Sequence, residues 1–295
     1  MSGKRKKTIK ASSQKIAGRG TLFVVATPIG NLEDITFRAL RILKEVDLIA
    51  AEDTRHTRKL LANFNISTPT LSYYKEKEQE RSVVIINKLL QGQNIALVSD
   101  AGTPGISDPG SILVKKAASE NIKIEPVPGP SSLTAALSVA GIPDSSFVFL
   151  GFAPSRKKQR QDLLHTLCQE KRHLVFFEAP HRLPSFLQDC SDILGDRLIF
   201  WCRELTKMHE ELSRGSISTL LSRCQDKKIK GESVLIISGA DDAPAIPDAK
   251  IAEMLKTFKN SKQKSLKDAV QSIIKEYKIP RSTVYKLALI IWGKN

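Results

Sequence analysis

The chain lacks the features that would place it in a membrane or in an oxidising compartment. No apolar run in its 295 residues approaches the ~20 residues of a membrane span. The basic N-terminus is followed by no apolar core of a signal peptide, and the short apolar run that begins at Leu22 reads as a first strand. Cysteine is sparse. Cys168, Cys190, Cys202 and Cys224 lie far apart with no CxxC pair, which argues for reduced thiols in a cytoplasmic protein rather than a disulfide framework or a zinc site. His56, His165, His173, His181 and His209 show no HxxxH-type spacing, so no metal site is read. Neither GxGxxG nor GxxxxGK[ST] occurs, which leaves dinucleotide and P-loop phosphate binding without support. No internal repeat is visible.

What is present is a globular composition, 41% hydrophobic, with room for two domains or one large one. The positive charge is confined to the ends. Residues 1–20 carry seven Lys/Arg and no acid, and residues 250–295 carry eleven against Glu253, Asp268 and Glu276. The rest holds 28 basic and 28 acidic residues, so the whole net charge of +15 sits in the two ends. A neutral body with basic appendages points to an enzyme whose substrate is a polyanion held partly by those ends. The alternative is a pair of solubilising tails.

Residues 1–20 read as a disordered basic arm. Beyond them, apolar runs alternate with amphipathic stretches. Strands are expected at Leu22–Thr27, Leu48–Glu52, Pro69–Tyr73, Ile95–Asp100 and Ile122–Val127, with helices at Ile35–Val46, Thr54–Asn63, Ser82–Gln91, Gly110–Glu120 and 131–140. This alternation predicts an α/β fold with a mostly parallel sheet over 21–143. A second α/β domain is expected over 144–240, with strands Phe147–Phe152, Leu174–Phe177, Leu198–Trp201 and Val234–Ser238 flanking helices near 156–170, 181–194 and 216–225. Residues 241–250 read as a linker and 251–295 as a small basic helical region. In that region two helices about the turn Lys278–Pro280 fit a helix-turn-helix, or equally a structural or dimer-contacting pair.

The richest segment is Ser99–Gly110, SDAGTPGISDPG. It follows a buried apolar run, combines glycines that let backbone approach a ligand with prolines that stiffen it, and holds Asp100 and Asp108. Loops Thr27–Leu32, Asp53–Thr57 and Pro128–Ser132 also follow strands. In a parallel sheet all four converge at the carboxyl edge, where ligands bind. Asp108 has a second reading as a turn or cap residue.

Taken together, LFVVATPIGN (Leu22–Asn31), AEDTRHT (Ala51–Thr57), SDAGTPGISDPG (Ser99–Gly110), VPGPSS (Val127–Ser132), FLGFA (Phe149–Ala153), FFEAPHR (Phe176–Arg182) and RELTK (Arg203–Lys207) resemble the tetrapyrrole methylase superfamily of S-adenosylmethionine-dependent methyltransferases. The closest resemblance is to the branch that methylates the ribose 2′-oxygen of a cytidine in the decoding centre of 16S ribosomal RNA. The likeness covers about 20–240, and the basic arm has no place in the family pattern. It implies two α/β domains with S-adenosylmethionine in the cleft between them, a small helical C-terminal region, a homodimer, and 16S ribosomal RNA in the 30S subunit as partner, with no membrane. Carried over by motif, the cofactor contacts are Pro28, Gly30, Asp100, Thr103, Ile106, Asp108, Ser131 and Ser132, joined by Phe177, Leu212 and Glu232 of the second domain.

Methyl transfer from sulfonium to oxygen needs alignment, and a base or cation near a weakly acidic hydroxyl helps. Three mixed-charge clusters stand at strand ends: Glu52–His56, Glu178–Arg182 and Arg203–Lys207. Asp53, Arg55 and His56 are the expected substrate-side residues, with Glu178, His181 and Arg182 across the cleft; structural ion pairs are the alternative. Arg156, Lys157, Lys158 and Arg160 form a run that could grip phosphate or line a solvated helix face. Tyr73 and Tyr74 could stack a base or pack in the core. Two rival functions remain at this stage: methylation of a small tetrapyrrole or corrinoid ring, and a non-catalytic ribosome assembly factor.

Overall fold

A computed structural model describes residues 18–142, 146–226, 229, 231–240, 248–260, 265–277 and 281–293. Most of the 1–20 arm, Pro143 at the expected domain boundary, residues 241–247 of the expected linker and the turn Lys278–Pro280 lie outside the described residues.

The first half runs β1 (Thr21–Val25), α1 (Phe37–Glu45), β2 (Leu48–Ala51), α2 (Thr54–Asn63), β3 (Thr70–Ser72), α3 (Glu78–Leu90), β4 (Ile95–Val98), α4 (Ser111–Ser119), β5 (Lys123–Val127) and α5 (Ser132–Ala140). All five strands are parallel, in the order β3-β2-β4-β1-β5. Their apolar runs divide by the two-residue period of a strand. Ile49, Ala51, Ala96 and Val98 face a core with Ala39, Ile42 and Leu43 of α1 and Leu61 of α2. Ala50, Ile95 and Leu97 face the opposite core, with Ile85 and Leu89 of α3 and Leu113 of α4. Helices whose connections run in opposite directions thus cover opposite faces, as right-handed crossovers require. Local chemistry sets the helix starts: Thr36 caps α1 through the amide of Ala39, and Asp53 caps α2 through the amide of Arg55.

The second half adds β6 (Phe147–Phe152), α6 (Lys157–Thr166), β7 (His173–Glu178), α7 (Leu183–Leu194), β8 (Leu198–Arg203), β9 (Glu211–Ser216), α8 (Ile217–Asp226) and β10 (Ser233–Ile237). The sheet order is β6-β7-β10-β8-β9, with only β6 and β7 parallel. One face packs on α6, α7 and α8 through Leu164, Phe186, Leu187 and Leu220. The other face, Val175, Phe200, Cys202, Val234 and Ile236, packs on Ala136 of α5. That helix therefore joins the two sheets, and residues 18–168 and 172–238 belong to one compact unit.

Residues 169–171 and the described residues from 239 to 293 form a second unit. Here α9 (Asp248–Asn260), α10 (Leu266–Tyr277) and α11 (Arg281–Trp292) bury Ile251, Leu255, Ala269, Val270, Ile273, Val284 and Ala288 in a core of their own. Among the described residues this unit has three helices where a pair was expected, and α9 begins inside the segment read as a linker. Among the described residues no helix is long and apolar enough to cross a membrane. All four cysteines are free thiols.

One side chain decides between readings that the sequence left open, and another corrects one. Tyr73 is fully buried, with its hydroxyl 3.2 Å from Glu78 Oε1 and 3.1 Å from Ser82 Oγ, and burial pushes its pKa up to about 12. It is a core residue and stacks no base. Arg160 leaves the basic run and turns inward, donating from Nε to Asp189 Oδ2 at 2.7 Å, with side chains 6% and 3% exposed. A buried guanidinium needs such a partner more than it needs solvent.

Candidate active site

The four loops predicted to converge do so, and hydrogen bonds tie them together. Thr27 and Gly102 exchange backbone bonds of 2.9 and 3.0 Å, and Thr27 Oγ1 donates to Ser99 O. Asp100 Oδ1 accepts from Asp53 N at 3.0 Å, while Asp100 N donates to Glu52 Oε2 at 3.3 Å. Thr103 Oγ1 donates to Pro130 O at 3.2 Å. Three of these loops, through Ile29, Asp100–Asp108 and Ser131–Ser132, and Glu52 just before the fourth, form one wall of a cavity of ≈ 370 Å³ whose other wall comes from the second sheet. That volume lies within the ~300–1,000 Å³ usual for small-molecule sites.

Of the expected residues, Asp100, Thr103, Ile106, Asp108, Ser131, Ser132, Phe177, Glu178 and Glu232 line the cavity. Pro28 and Gly30 do not, although Ile29 between them does. Gly30 instead packs against the second half: a Cβ there would lie 2.5 Å from Lys207 Cγ and 2.9 Å from Leu205 O. Leu212 is on β9 and is outside the lining, as are Asp53, Arg55, His56, His181 and Arg182. Arg55 and His56 are exposed on the first turn of α2, with Arg55 Nη2 2.8 Å from Asp53 Oδ2. The bond from Arg55 holds the Asp53 carboxyl well below the usual carboxylate range. These three make a polar outer surface, not part of the cavity wall.

The cavity is acidic. Burial is the main cause that raises the Asp108 pKa from 3.8 to about 7, with Glu52, Asp100 and Glu232 adding like charge against a bond from Ser99. Burial also raises Glu52, although its bond from the Asp100 amide opposes this. Such a site pays for unneutralised negative charge and favours a cation. Apolar surface is supplied by Ile29, Phe152, Phe177 and Val234. Cys202 also faces it, but burial pushes its pKa up to about 12, so it is a neutral thiol. Among the described residues no group of three or more His, Cys, Asp or Glu could hold a metal ion.

Glu178 has an unusual setting. It is 1% exposed and lines the cavity. Oε1 accepts from Ala179 N at 2.9 Å and lies 3.2 Å from Arg182 Nε, an ion pair without hydrogen-bond geometry, and Oε2 has no hydrogen-bond partner. Burial raises its pKa. A buried orphan acceptor on a cavity wall is costly unless a ligand uses it.

Sequence reasoning did not single out Glu52, Phe152, Cys202, Leu205 or Lys207 as site residues. Glu52, Leu205 and Lys207 belong to the mixed-charge clusters at strand ends, and Glu52 directly follows β2. Lys207 reaches the cavity from a loop in which Glu204 and Thr206 adopt φ of 53° and 65°, held by Glu204 N to Glu232 O and by Asn31 N to Thr206 Oγ1. The mixed charge of Arg203–Lys207 marks this loop in the sequence, but not which of its side chains reaches the cavity.

Residues 21–221 match the family described as Tetrapyrrole (Corrin/Porphyrin) Methylases. The chain belongs to the tetrapyrrole methylase family. The ribosomal RNA small subunit methyltransferase I of Synechocystis is 45% identical over 273 residues, covering 92% of this chain and 98% of the relative. The enzyme of that name from Thermotoga maritima is 50% identical over 222 residues, 75% of this chain and 100% of the relative. Among solved structures, the methyltransferase CobJ superposes with a TM-score of 0.58 at 17% identity, covering 75% of this chain and 95% of that one. A uroporphyrin-III C-methyltransferase from Thermus thermophilus gives 0.55 at 18%, covering 75% and 94%. At those identities the structures speak for the tetrapyrrole methylase fold alone.

Proposed function

We propose that this tetrapyrrole methylase transfers a methyl group from S-adenosylmethionine to the ribose 2′-oxygen of a cytidine in the decoding centre of 16S ribosomal RNA, in the 30S subunit, as a cytoplasmic homodimer. The observation that carries the reading is the acidic, half-apolar cavity at the carboxyl edge of the parallel sheet. The nearly full-length likeness to ribosomal RNA methyltransferases supports the substrate, as does the basic charge of the chain ends.

The residues present fit a cationic cofactor. When bound, S-adenosylmethionine supplies an activated methyl group. Asp100 and Asp108 offer acceptors for its ammonium and hydroxyl groups, and Glu52 adds negative charge beside them. Ser131 and Ser132, at the N-terminus of α5, present hydroxyls and amide donors suited to a carboxylate. Phe177, Ile29 and Val234 give an apolar wall. Glu178 then accepts the proton of the 2′-hydroxyl, its basicity strengthened by burial. Arg182 keeps that carboxylate in place, while His181, Asp53, Arg55 and His56 meet the RNA outside the cavity.

The test is methyl transfer from labelled S-adenosylmethionine to 30S subunits, alongside naked 16S RNA, both from cells lacking the gene. Label released as 2′-O-methylcytidine is expected from the subunits. Measured cofactor binding without label in either RNA would overturn the substrate; no binding at all would overturn the enzyme.

A further inference from the structure

The strand that ends at the cavity mouth contains an irregularity with a direct consequence for one side chain. Along β6, Val148 and Leu150 point to the core shared with α6 and α7, and Phe149 points to the opposite face. Regular alternation would send Phe152 into the core with Leu150. The pairing with β7 skips Leu150 between Phe149 and Gly151, where Gly151 has φ of 61°; it resumes with Gly151 opposite Phe176 and continues with Phe152 opposite Phe177. This bulge turns Phe152 onto the cavity face, a use bulges often have beside active sites.

There Phe152 stands edge-on to Phe177, with ring centroids 5.7 Å apart, and Phe177 is edge-on to Phe149 at 5.0 Å. Phe149 and Phe177 are half-buried, but Phe152 is 51% exposed and lines the cavity. The segment beyond it is held firmly. Ala153 O accepts from Arg182 Nη2, and Ser155 O accepts from the buried Arg160. Arg156, Lys157 and Lys158 follow at the start of α6, all exposed and paired with no carboxylate among the described residues. Four residues of chain put Arg156 at most ~14 Å from Phe152. The helix has no acid in its first turn, where the helix dipole favours negative charge. Acids inside the cavity and unpaired cations beyond its lip would repel a phosphate from the first and hold it at the second.

We infer that Phe152 and the Arg156–Lys158 triplet form a nucleotide seat: the unstacked target base of a single-stranded RNA segment lies on the Phe152 ring, and its flanking phosphates lie against the three cations. A rigid exposed aromatic beside a basic track is how proteins hold unpaired nucleotides. The inference rests on the RNA methyltransferase reading and says how the substrate enters.

The experiment compares intact wild-type protein with Phe152→Ala, Phe152→Trp and the triple variant Arg156→Ala/Lys157→Ala/Lys158→Ala. It reads S-adenosylmethionine affinity by calorimetry and kcat/KM on 30S subunits across a salt series. Phe152→Ala is expected to lower kcat/KM by ~10- to 100-fold, the range for loss of one stacked base, with cofactor affinity unchanged and Phe152→Trp retaining activity. The triple variant is expected to flatten the salt dependence by about two units of log–log slope, from ~0.7 per single-strand phosphate contact. If Phe152→Ala weakens cofactor binding as much as it lowers kcat/KM, the ring is a cofactor wall and the seat is refuted. An unchanged salt slope in the triple variant refutes the phosphate half. Wild-type protein that binds cofactor but labels no RNA removes the substrate reading itself, and the seat with it.

Discussion

Replacing Asp108 with asparagine separates what the cavity does for ligands from what it does to the fold. In the folded protein this carboxyl titrates at about 7 rather than 3.8, chiefly because it is buried and also because Glu52, Asp100 and Glu232 are near. The native state therefore holds a proton that the unfolded chain has released. Stability falls as pH rises from about 4 to about 7, and the full penalty persists above that. At about 1.4 kcal/mol per pH unit the difference amounts to ~4 kcal/mol, and screening at a partly exposed side chain cuts it to ~2 kcal/mol. Asp108→Asn keeps the shape and removes the charge. Its urea midpoint is expected to exceed that of wild type at pH 8 with unchanged slope, by an amount equal to ~2 kcal/mol, and less than about half of that gain is expected at pH 5. Calorimetry at pH 8 is expected to show S-adenosylmethionine affinity ~10-fold weaker, for loss of a hydrogen bond to a charged group. A variant no more stable than wild type at pH 8 would refute the burial argument. Unchanged cofactor affinity would remove Asp108 from the site.

Other residues give separate tests. Gly30→Ala puts a Cβ 2.9 Å from the Leu205 carbonyl; displacing the loop that carries Leu205 and Lys207 should weaken cofactor binding by ~10-fold, as strain of 1–2 kcal/mol implies, and calorimetry with unaltered affinity would refute it. Asp189→Leu strands the Arg160 guanidinium and should cost ~3–5 kcal/mol in urea unfolding, with most of the loss recovered in Arg160→Met/Asp189→Leu; equal midpoints for single and double variants would argue against a buried pair. Glu178→Gln should lower kcat by ~100-fold with cofactor affinity unchanged. Because burial raises the Glu178 pKa, wild-type kcat should fall with acid above the ordinary carboxylate range, and that limb should vanish in the variant; a limb that survives would assign it to another group.

The expected elements were legible where apolar period and turn chemistry coincide. Thr54–Asn63 and Phe147–Phe152 were bounded to the residue, and the parallel first sheet followed from alternation of strands and helices. Parallel strands share one carboxyl edge, so loops ending at Asp100, Asp108 and Ser131 were bound to meet. The polar edge strand Glu211–Ser216 was missed, because ELSRGS has no apolar face to announce it. Most residues expected to contact a cofactor do line the cavity, but Pro28, Gly30 and Leu212 do not.

The amino-acid sequence by itself determined most of the strand and helix order, the loops that meet at the cavity, and the confinement of net charge to the ends, since each is a local or summed property of the chain. Tertiary structure alone decided the rest. Arg160 is a core residue because Asp189, on another helix, receives it. Phe152 reaches the cavity because β6 slips one residue against β7. Asp108 titrates near neutrality because folding buries it beside Asp100 of its own loop and acids from two other segments, Glu52 and Glu232. Burial, register and the sum of nearby charges depend on partners distant along the chain, and periodicity carries no record of them.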